Sequence, residues 1–380
     1  MTRYGTLAAF IVLGLVAVAI YLLEFQPTQN DSSDFKVGVL FPFTGDAASY
    51  GAKGRRGVDL AISDFNRTME CERRMSAVYE DSAALPETGL ASFQKLIASD
   101  HTPAVVGDIV SSVTLAAAPV ANRSQTVLLA PTASAPAITQ AGPYVYRIWP
   151  SDLEEGKAIA NYAVSHGYAR AAILYMNNDY GTAIQNIFTK VFATGGRKVV
   201  SAQSYLQTDQ DFRSALTSLA NGNPDVLYVA GYYADSAAIV RQARALGLKM
   251  PILGATAIED PQFLAQAGPA AEGIVYPLAT GFDATSTDPH VAAFVSEFRT
   301  RYHQTPGWVE AQVYDAVAVL CKVSSRIHGP LTGAAIKGGL DDFGTLHGVT
   351  GDITFDANGD VIKPVRLRII KGGKFTNLEH

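Results

Sequence analysis

Polar and aromatic side chains recur in this sequence at one kind of place, the loop that follows a short apolar run. Serine hydroxyls and backbone N–H groups at the start of a helix can bind an anion, and tyrosine rings can form the walls of a pocket. The residues predicted to line one site are Tyr50, Ser111, Ser112, Ser134, Asp152, Tyr180, Tyr232 and Thr256. Hydroxyls, aromatic rings and one carboxylate together can orient a small polar ligand.

The same sequence lacks the patterns that carry common catalytic chemistry. Gly51, Gly54 and Gly57 form GxxGxxG, which does not have the spacing of the dinucleotide-binding fingerprint. There is no GxxxxGK[ST] phosphate loop, no GxSxG elbow with a plausible triad and no CxxC, and the seven histidines form no metal-binding pair. We therefore expect a protein that is not an enzyme and needs neither a cofactor nor a metal.

The candidate loops belong to an internal repeat. Four strand–loop units occur twice, in the same order and at a nearly constant offset: Lys36–Phe41 and Ala171–Tyr175, Ala104–Gly107 and Val226–Gly231, Val127–Ala130 and Ile252–Gly254, Tyr144–Ile148 and Gly273–Tyr276. A serine pair after a strand is by itself more often a helix N-cap, so the repeat carries the functional interpretation of Ser111 and Ser112. Helical patterns between the apolar runs predict α/β lobes with parallel sheets, whose ligands lie beyond the carboxyl ends of the strands.

Length and charge limit the remaining possibilities. A chain of 380 residues is too long for one ordinary core, so two domains are expected. The formal net charge is −5 and no run of lysine and arginine is present, which argues against nucleic acid as a partner.

The first residues predict export. Arg3 is followed by the charge-free run Leu7–Leu23, which fits either an uncleaved membrane anchor or a signal peptide cleaved after Ala17-Val18-Ala19. An exported location permits a disulfide between Cys71 and Cys321, but two separate buried thiols fit the sequence equally well.

From about Lys36 onward the chain resembles the type I periplasmic solute-binding proteins of the leucine/isoleucine/valine-binding group. The resemblance is carried in order by VGVLFPFTGDAASYG, VVGDIVSSVT, LLAPTASAPAIT, NNDYG, YVAGYYADSAAIVRQARALGL, VYDAV and GDITFDANGD. It implies two Rossmann-like, doubly wound parallel-sheet lobes joined by a three-segment hinge. The implied function is capture of a small polar ligand outside the cytoplasm and its delivery to the permease of an ABC importer. A ligand-sensing module that acts through a membrane receptor is the alternative.

The resemblance also implies boundaries and residue roles. The lobes would comprise 35–151 with 280–345 and 152–279 with 346–380, after a leader and linker at 1–34. Ser111 matches a serine that binds the ligand carboxylate, and Ser134 matches a residue that contacts both carboxylate and ammonium. The other positions matched are Thr132 and Ala133 for backbone groups, Tyr180 and Tyr232 for the clamp of the second lobe, Tyr50 for the side-chain pocket and Asp152 for the cleft edge.

One position departs from the pattern. Binders of branched-chain amino acids have a glutamate for the ligand ammonium where this chain has Thr256. A buried ammonium without a carboxylate is costly. The ligand is therefore either an amino acid whose ammonium uses Asp152 or Glu259, or an organic acid, an amide or an aromatic acid.

Overall fold

The computed structural model describes residues 34–279 and 281–378, and it contains two α/β lobes, each built on a largely parallel sheet. The first sheet has the order β2-β1-β3-β4-β5, and all of its neighbouring strands are parallel. Its strands are β1 (Asp34–Phe41), β2 (Arg74–Asp81), β3 (Ala104–Gly107), β4 (Val127–Ala130) and β5 (Val145–Arg147).

The second sheet has the order β14-β13-β10-β9-β8-β6-β7. Its strands are β6 (Arg170–Met176), β7 (Lys198–Tyr205), β8 (Val226–Ala230), β9 (Ile252–Gly254), β10 (Val275–Leu278), β13 (Arg366–Lys371) and β14 (Lys374–Asn377). The last two strands are antiparallel additions at one edge. A separate hairpin consists of β11 (Leu346–Gly348) and β12 (Gly351–Ile353).

Helices follow most of the strands. Those of the first lobe are α1 (Ala48–Thr68), α2 (Pro86–Ala98), α3 (Ser111–Ser124), α9 (Pro289–Tyr302), α10 (Trp308–Ser324) and α11 (Gly333–Asp341). Those of the second lobe are α4 (Asp152–Ser165), α5 (Asp179–Phe192), α6 (Arg213–Ala220), α7 (Tyr233–Ala245) and α8 (Pro261–Ala267). Three 3₁₀ turns span Pro136–Gln140, Thr256–Ile258 and Gly268–Ala271. None of the helices at residues 34–279 and 281–378 is long and apolar enough to cross a membrane, and the run Leu7–Leu23 lies outside that part of the chain.

The sequence of the central strands explains why helices must cover both faces of each sheet. β4 (VLLA) and β8 (VLYVA) are apolar throughout, and every residue in them is buried. Such continuous runs are typical of parallel strands that are covered on both sides. The carboxyl ends of these strands carry the loops that the repeat singled out, so the two sheets present their loops to each other.

The hairpin and the residues after it pack against the first lobe. Asp315 of α10 accepts hydrogen bonds from the backbone N–H groups of Val349 and Thr350, at 2.9 and 2.8 Å. The ammonium of Lys363 donates to Gln312 of the same helix at 3.1 Å. The resemblance placed the last boundary between the lobes at residues 345 and 346. We propose instead that the chain passes to the second lobe after Lys363.

A disulfide joins Cys71 and Cys321. It ties the loop after α1 to α10, and the two residues are 250 positions apart in the chain. Of the two possibilities that the sequence left open, the structure has the disulfide. The crosslink fixes a late segment of the chain to the lobe formed by the first strands.

Candidate ligand-binding site

A cavity lies between the lobes, at the carboxyl ends of both sheets. It is lined by Tyr50, Ile109, Ser111, Thr132, Ser134, Trp149, Glu155, Tyr180, Tyr232, Thr256, Ala257 and Trp308. Seven of the ten residues predicted from the sequence line it: Tyr50, Ser111, Thr132, Ser134, Tyr180, Tyr232 and Thr256. Ser112, Ala133 and Asp152 are buried beside the cavity and do not line it.

The first lobe contributes a hydroxyl wall, which we define as Ser111, Thr132 and Ser134. The Ser111 oxygen accepts hydrogen bonds from the backbone N–H groups of Ser134 and Ala135, both at 3.1 Å. A hydroxyl oxygen has two lone pairs, so these two donors satisfy its capacity to accept. Its hydrogen remains available to donate. Ser111 is also the first residue of α3, where helix N–H groups favour an anion.

Arg147 holds the loop that completes this wall. Its guanidinium is fully buried and donates to the carbonyl oxygens of Ser134 and Ala135 at 3.1 and 3.0 Å. The same guanidinium forms an ion pair with Asp360 at 2.6 Å, so its charge is compensated away from the cavity. Arg147 therefore positions the hydroxyl wall and is not a free cation for the ligand.

Five aromatic residues form an aromatic wall, which we define as Tyr50, Trp149, Tyr180, Tyr232 and Trp308. The rings of Tyr180 and Tyr232 are stacked, with centroids 5.7 Å apart, and those of Trp149 and Trp308 are 4.8 Å apart. The hydroxyl of Tyr180 is buried and has no hydrogen-bond partner among the described residues. It is free to bond to a ligand.

The repeated Tyr-Gly pair explains how two of these rings reach the cavity. A Cβ atom on Gly51 would lie 2.0 Å from the carbonyl oxygen of Pro42, and one on Gly181 would lie 2.2 Å from that of Met176. Only glycine permits such a close approach between the first turn of the helix and the end of the preceding strand. The tyrosine before each glycine then projects from the helix start into the cleft.

The two lobes contact each other around the cavity, so this is a closed form. The hydroxyl of Tyr50 donates to the carbonyl of Ala257. Lys53 forms an ion pair with Asp260 at 2.7 Å, and the indole N–H of Trp308 donates to the carbonyl of Glu259 at 3.0 Å. Each pair joins a helix of the first lobe to the loop after β9. These contacts hold the two lobes together beside the cavity.

The second lobe contributes an acidic wall, which we define as Glu155 and Thr256. The Glu155 side chain is buried and accepts a hydrogen bond from the indole N–H of Trp149 at 3.1 Å and another from the hydroxyl of Thr256. Burial raises the pKa of this carboxyl, and the neighbouring Asp152 raises it further. Burial also raises the pKa of Asp152, with the Ser134 hydroxyl and Arg147 acting in the opposite direction.

The folded chain matches a known family over most of its length. A family model described as periplasmic binding protein matches residues 34–374. The chain belongs to this family. Its members are substrate-binding proteins and not enzymes, and membership implies an extracytoplasmic location. The resemblance found in the sequence is confirmed.

Individual relatives are distant but similar over nearly their whole length. A leucine-, isoleucine-, valine-, threonine- and alanine-binding protein of Pseudomonas aeruginosa is 25% identical over 352 residues, covering 92% of this chain and 93% of that protein. The structure of a leucine-binding protein from Thermotoga maritima has a TM-score of 0.83 and 26% identity, covering 91% and 98% of the two chains. A solute-binding protein from R. palustris in complex with benzoate has a TM-score of 0.82 and 25% identity, covering 91% and 95%.

Sequence reasoning missed five residues that line the cavity of this binding protein: Ile109, Trp149, Glu155, Ala257 and Trp308. Ile109 and Ala257 adjoin predicted loops, so the repeat could have found them. Trp149 is the second residue after β5 and could have been found in the same way. Glu155 lies inside a helix, where an acidic residue in the first turns is ordinarily explained by the helix dipole.

Glu259, which the sequence offered as a partner for a ligand ammonium, has other partners. Its carboxylate forms an ion pair with Arg368 at 2.9 Å and accepts from the Tyr276 hydroxyl at 2.7 Å. It does not line the cavity. Its charge is therefore already matched away from the ligand site.

Proposed function

We propose that this protein captures a small polar solute, an amino acid or a related carboxylate or amide, and passes it to the permease of an ABC importer. The observation that carries the proposal is the Ser111 hydroxyl, which lines the cavity between the lobes and whose oxygen already accepts hydrogen bonds from two N–H groups. Only its hydrogen can face a ligand, so it selects an acceptor. A carboxylate is the strongest acceptor that common solutes offer.

The order of events follows from the lobe that carries each group. The ligand carboxylate binds first to the hydroxyl wall, which belongs to one lobe alone. The second lobe then brings Glu155, Tyr180 and Thr256 against it. Contacts such as Lys53 to Asp260 form only when the lobes meet, so a ligand that bridges both lobes stabilises the closed form. The permease would recognise this closed surface, and the run Leu7–Leu23, as a membrane anchor or as a cleaved signal peptide, would direct the protein out of the cytoplasm.

The names of relatives support two ligand classes. The P. aeruginosa protein is named for leucine, isoleucine, valine, threonine and alanine, and the R. palustris structure contains benzoate. Both classes carry a carboxylate, so the hydroxyl wall fits both. The five rings of the aromatic wall favour an aromatic acid as the second candidate. The acidic wall can distinguish the two classes, because an amino acid carries an ammonium group and benzoate does not.

A thermal-shift screen tests capture. The purified protein is melted with each of the 20 L-α-amino acids, small organic acids, amides and benzoates. A ligand at one hundred times its Kd adds about 2.7 kcal/mol to the free energy of unfolding, which raises the Tm visibly. Small-angle scattering with and without the best ligand should show compaction. Absence of any shift across all four classes would contradict the proposed function.

Delivery to an importer needs its own experiment. The permease and ATPase encoded near this gene would be reconstituted in vesicles, and ATP hydrolysis measured with the liganded protein added. We expect stimulation that requires the ligand. A neighbouring histidine kinase or chemoreceptor instead of a permease, together with no stimulation, would favour a sensing module.

A further inference from the structure

When Glu155 is ionised, the acidic wall has more hydrogen-bond acceptors than donors. The Thr256 hydroxyl lies within hydrogen-bonding distance of both the Glu155 carboxylate and the carbonyl of Pro277, the latter at 2.9 Å. A threonine hydroxyl has one hydrogen, so it can satisfy only one of the two. The Glu155 carboxylate also accepts from the backbone N–H of Ala279. Its two oxygens can accept about four hydrogen bonds, so one more donor can still be added to those of Trp149, Thr256 and Ala279. A donor supplied by the ligand would complete this wall.

The charges around the acidic wall are also unbalanced. Asp152 lies one helical turn before Glu155 in α4, and no donor among the described residues meets hydrogen-bonding geometry with its buried carboxylate oxygens. The Ser134 hydroxyl lies close enough to lower the pKa of Asp152 but carries no charge. The nearby cation is Arg147, which is paired with Asp360. Buried carboxylates without a cation are costly, so they either hold a proton or need a positive ligand group.

The titration of the pair agrees with this geometry. Burial raises the pKa of Glu155 and of Asp152, so the empty site tends to retain protons. The hydroxyls of Tyr180 on α5, Tyr228 on β8 and Tyr232 lie near the pair, and burial raises their pKa values too. The guanidinium of Arg147 acts on Asp152 and lowers its pKa. A ligand cation would favour the ionised carboxylate and displace a proton.

The position of the acidic wall suits a ligand whose two charges are close together. The backbone N–H of Asp152 donates to the carbonyl of Ser134 at 2.9 Å, so the first turn of α4 touches the hydroxyl wall. Glu155 lies in the next turn and faces the same cavity. An α-amino acid carries its carboxylate and ammonium on one carbon atom, and it can therefore reach both walls at once.

We propose that Glu155 binds the ammonium group of the ligand and makes this site selective for α-amino acids over acids that lack an amine. The inference rests on the proposed function and names its substrate class. In this proposal Glu155 takes the place of the glutamate that is absent at position 256. Its carboxylate comes from helix α4 and contacts the Thr256 hydroxyl.

The test is the variant Glu155→Gln, which keeps the size of the side chain and can still accept from Trp149. Binding is measured by calorimetry with the tightest-binding L-α-amino acid, with its 2-hydroxy acid counterpart and with benzoate. We expect the wild-type protein to prefer the amino acid, and the variant to bind it at least about 100-fold more weakly because an ammonium loses a buried ionic partner. Affinity for the hydroxy acid should change by less than about 3-fold.

A matched control is Glu154→Gln on the same helix. Glu154 is exposed and paired with Lys157 at 2.9 Å, and it does not line the cavity. Its variant should bind every ligand as the wild-type protein does. Calorimetry at pH 7 in buffers of different ionisation enthalpy gives a second readout. Amino-acid binding should release protons from the wild-type protein and fewer from Glu155→Gln.

Failure of this inference is distinct from failure of the proposed function. If the amino acid binds equally well to the wild-type protein and to Glu155→Gln, Glu155 is not the ammonium partner, although solute capture stands. Tighter binding of benzoate or of the hydroxy acid by the wild-type protein would overturn the inference in the same way. If no solute of any class binds, the proposed function fails and the inference with it.

Discussion

The hydroxyl wall and the acidic wall face one cavity, but their polar atoms are satisfied in opposite ways. In the hydroxyl wall, two backbone N–H groups occupy the Ser111 oxygen and leave its hydrogen free. In the acidic wall, one Thr256 hydrogen serves two acceptors, Glu155 and Pro277. The first wall therefore lacks an acceptor, and the second lacks a donor when Glu155 is ionised. This difference is the basis of the proposed preference for a zwitterion, although neither wall carries a free cation.

The largest effect is expected when the hydroxyl wall is removed. In Ser111→Ala/Ser134→Ala, any carboxylate ligand loses two donors, each worth about 1.5–3 kcal/mol to a charged group. Affinity should fall by at least about 100-fold for amino acids and for acids without an amine alike. Ser112→Ala is the control, because Ser112 does not line the cavity. Calorimetry with a melting curve of each variant would check this, and unchanged affinity in the double variant would refute the assignment of the carboxylate site.

The next effect tests the acidic wall by adding a carboxylate to it. Thr256→Glu restores the residue type found in binders of branched-chain amino acids, but here it would place a second carboxylate against Glu155. Like charges and a larger side chain in a buried position both oppose binding, so we expect amino-acid affinity to fall by about 10-fold. Isothermal calorimetry would measure this. Tighter amino-acid binding instead would mean that the wild-type wall lacks an ammonium partner.

The sequence predicted residues of both walls at the strand ends, but it did not predict the carboxylate of the acidic wall. The internal repeat located Ser111, Ser134 and Thr256, because loops after parallel strands must meet at one edge of a sheet. Glu155 was not predicted because it lies within a helix, and only the packing of the two lobes places that face of the helix at the cavity. Asp152 was expected in the cleft and lies behind it.

The edges of the lobes were hard to predict for a related reason. The segment after Thr345 contains short polar strands, whose sequence gives no sign of the lobe they contact. Its place depends on tertiary contacts. Examples are the hydrogen bonds that Val349 and Lys363 of this segment donate to Asp315 and Gln312 of α10. Side-chain partners far apart in sequence decide such boundaries, and a single sequence does not show them.

A smaller effect should appear in the pH dependence of the unliganded protein. Unfolded carboxyl groups titrate near about pH 4, whereas burial raises the pKa of Glu155 in the folded state. Above about pH 4 the folded state therefore holds a proton that the unfolded state has released, and the free energy of unfolding falls as pH rises. Buried Asp108 and Asp235, with pKa values raised to about 7 and about 8, contribute in the same direction.

Glu155→Gln removes the contribution of Glu155 to the pH dependence of the free energy of unfolding. Urea unfolding at pH 5 and pH 7.5 should show a decline in the wild-type protein that is smaller in the variant by about 1 kcal/mol or more. Glu154→Gln should behave as the wild-type protein. Identical slopes for all three proteins would show that Glu155 is ionised in the empty cavity, and the acidic wall would then need a different account of how its charge is balanced.

The smallest effect concerns the hydroxyl of Tyr180, which faces both walls from the second lobe. It is buried and has no partner among the described residues, so it gains a hydrogen bond only when a ligand is present. Tyr180→Phe keeps the ring stacked on Tyr232 and removes that bond, which is worth about 0.5–1.5 kcal/mol. Affinity should fall by about 2- to 10-fold, while the Tm of the unliganded protein stays the same or rises. A fall in the unliganded Tm would show that the hydroxyl already has a partner in the empty protein, and it would then belong to the fold rather than to the ligand site.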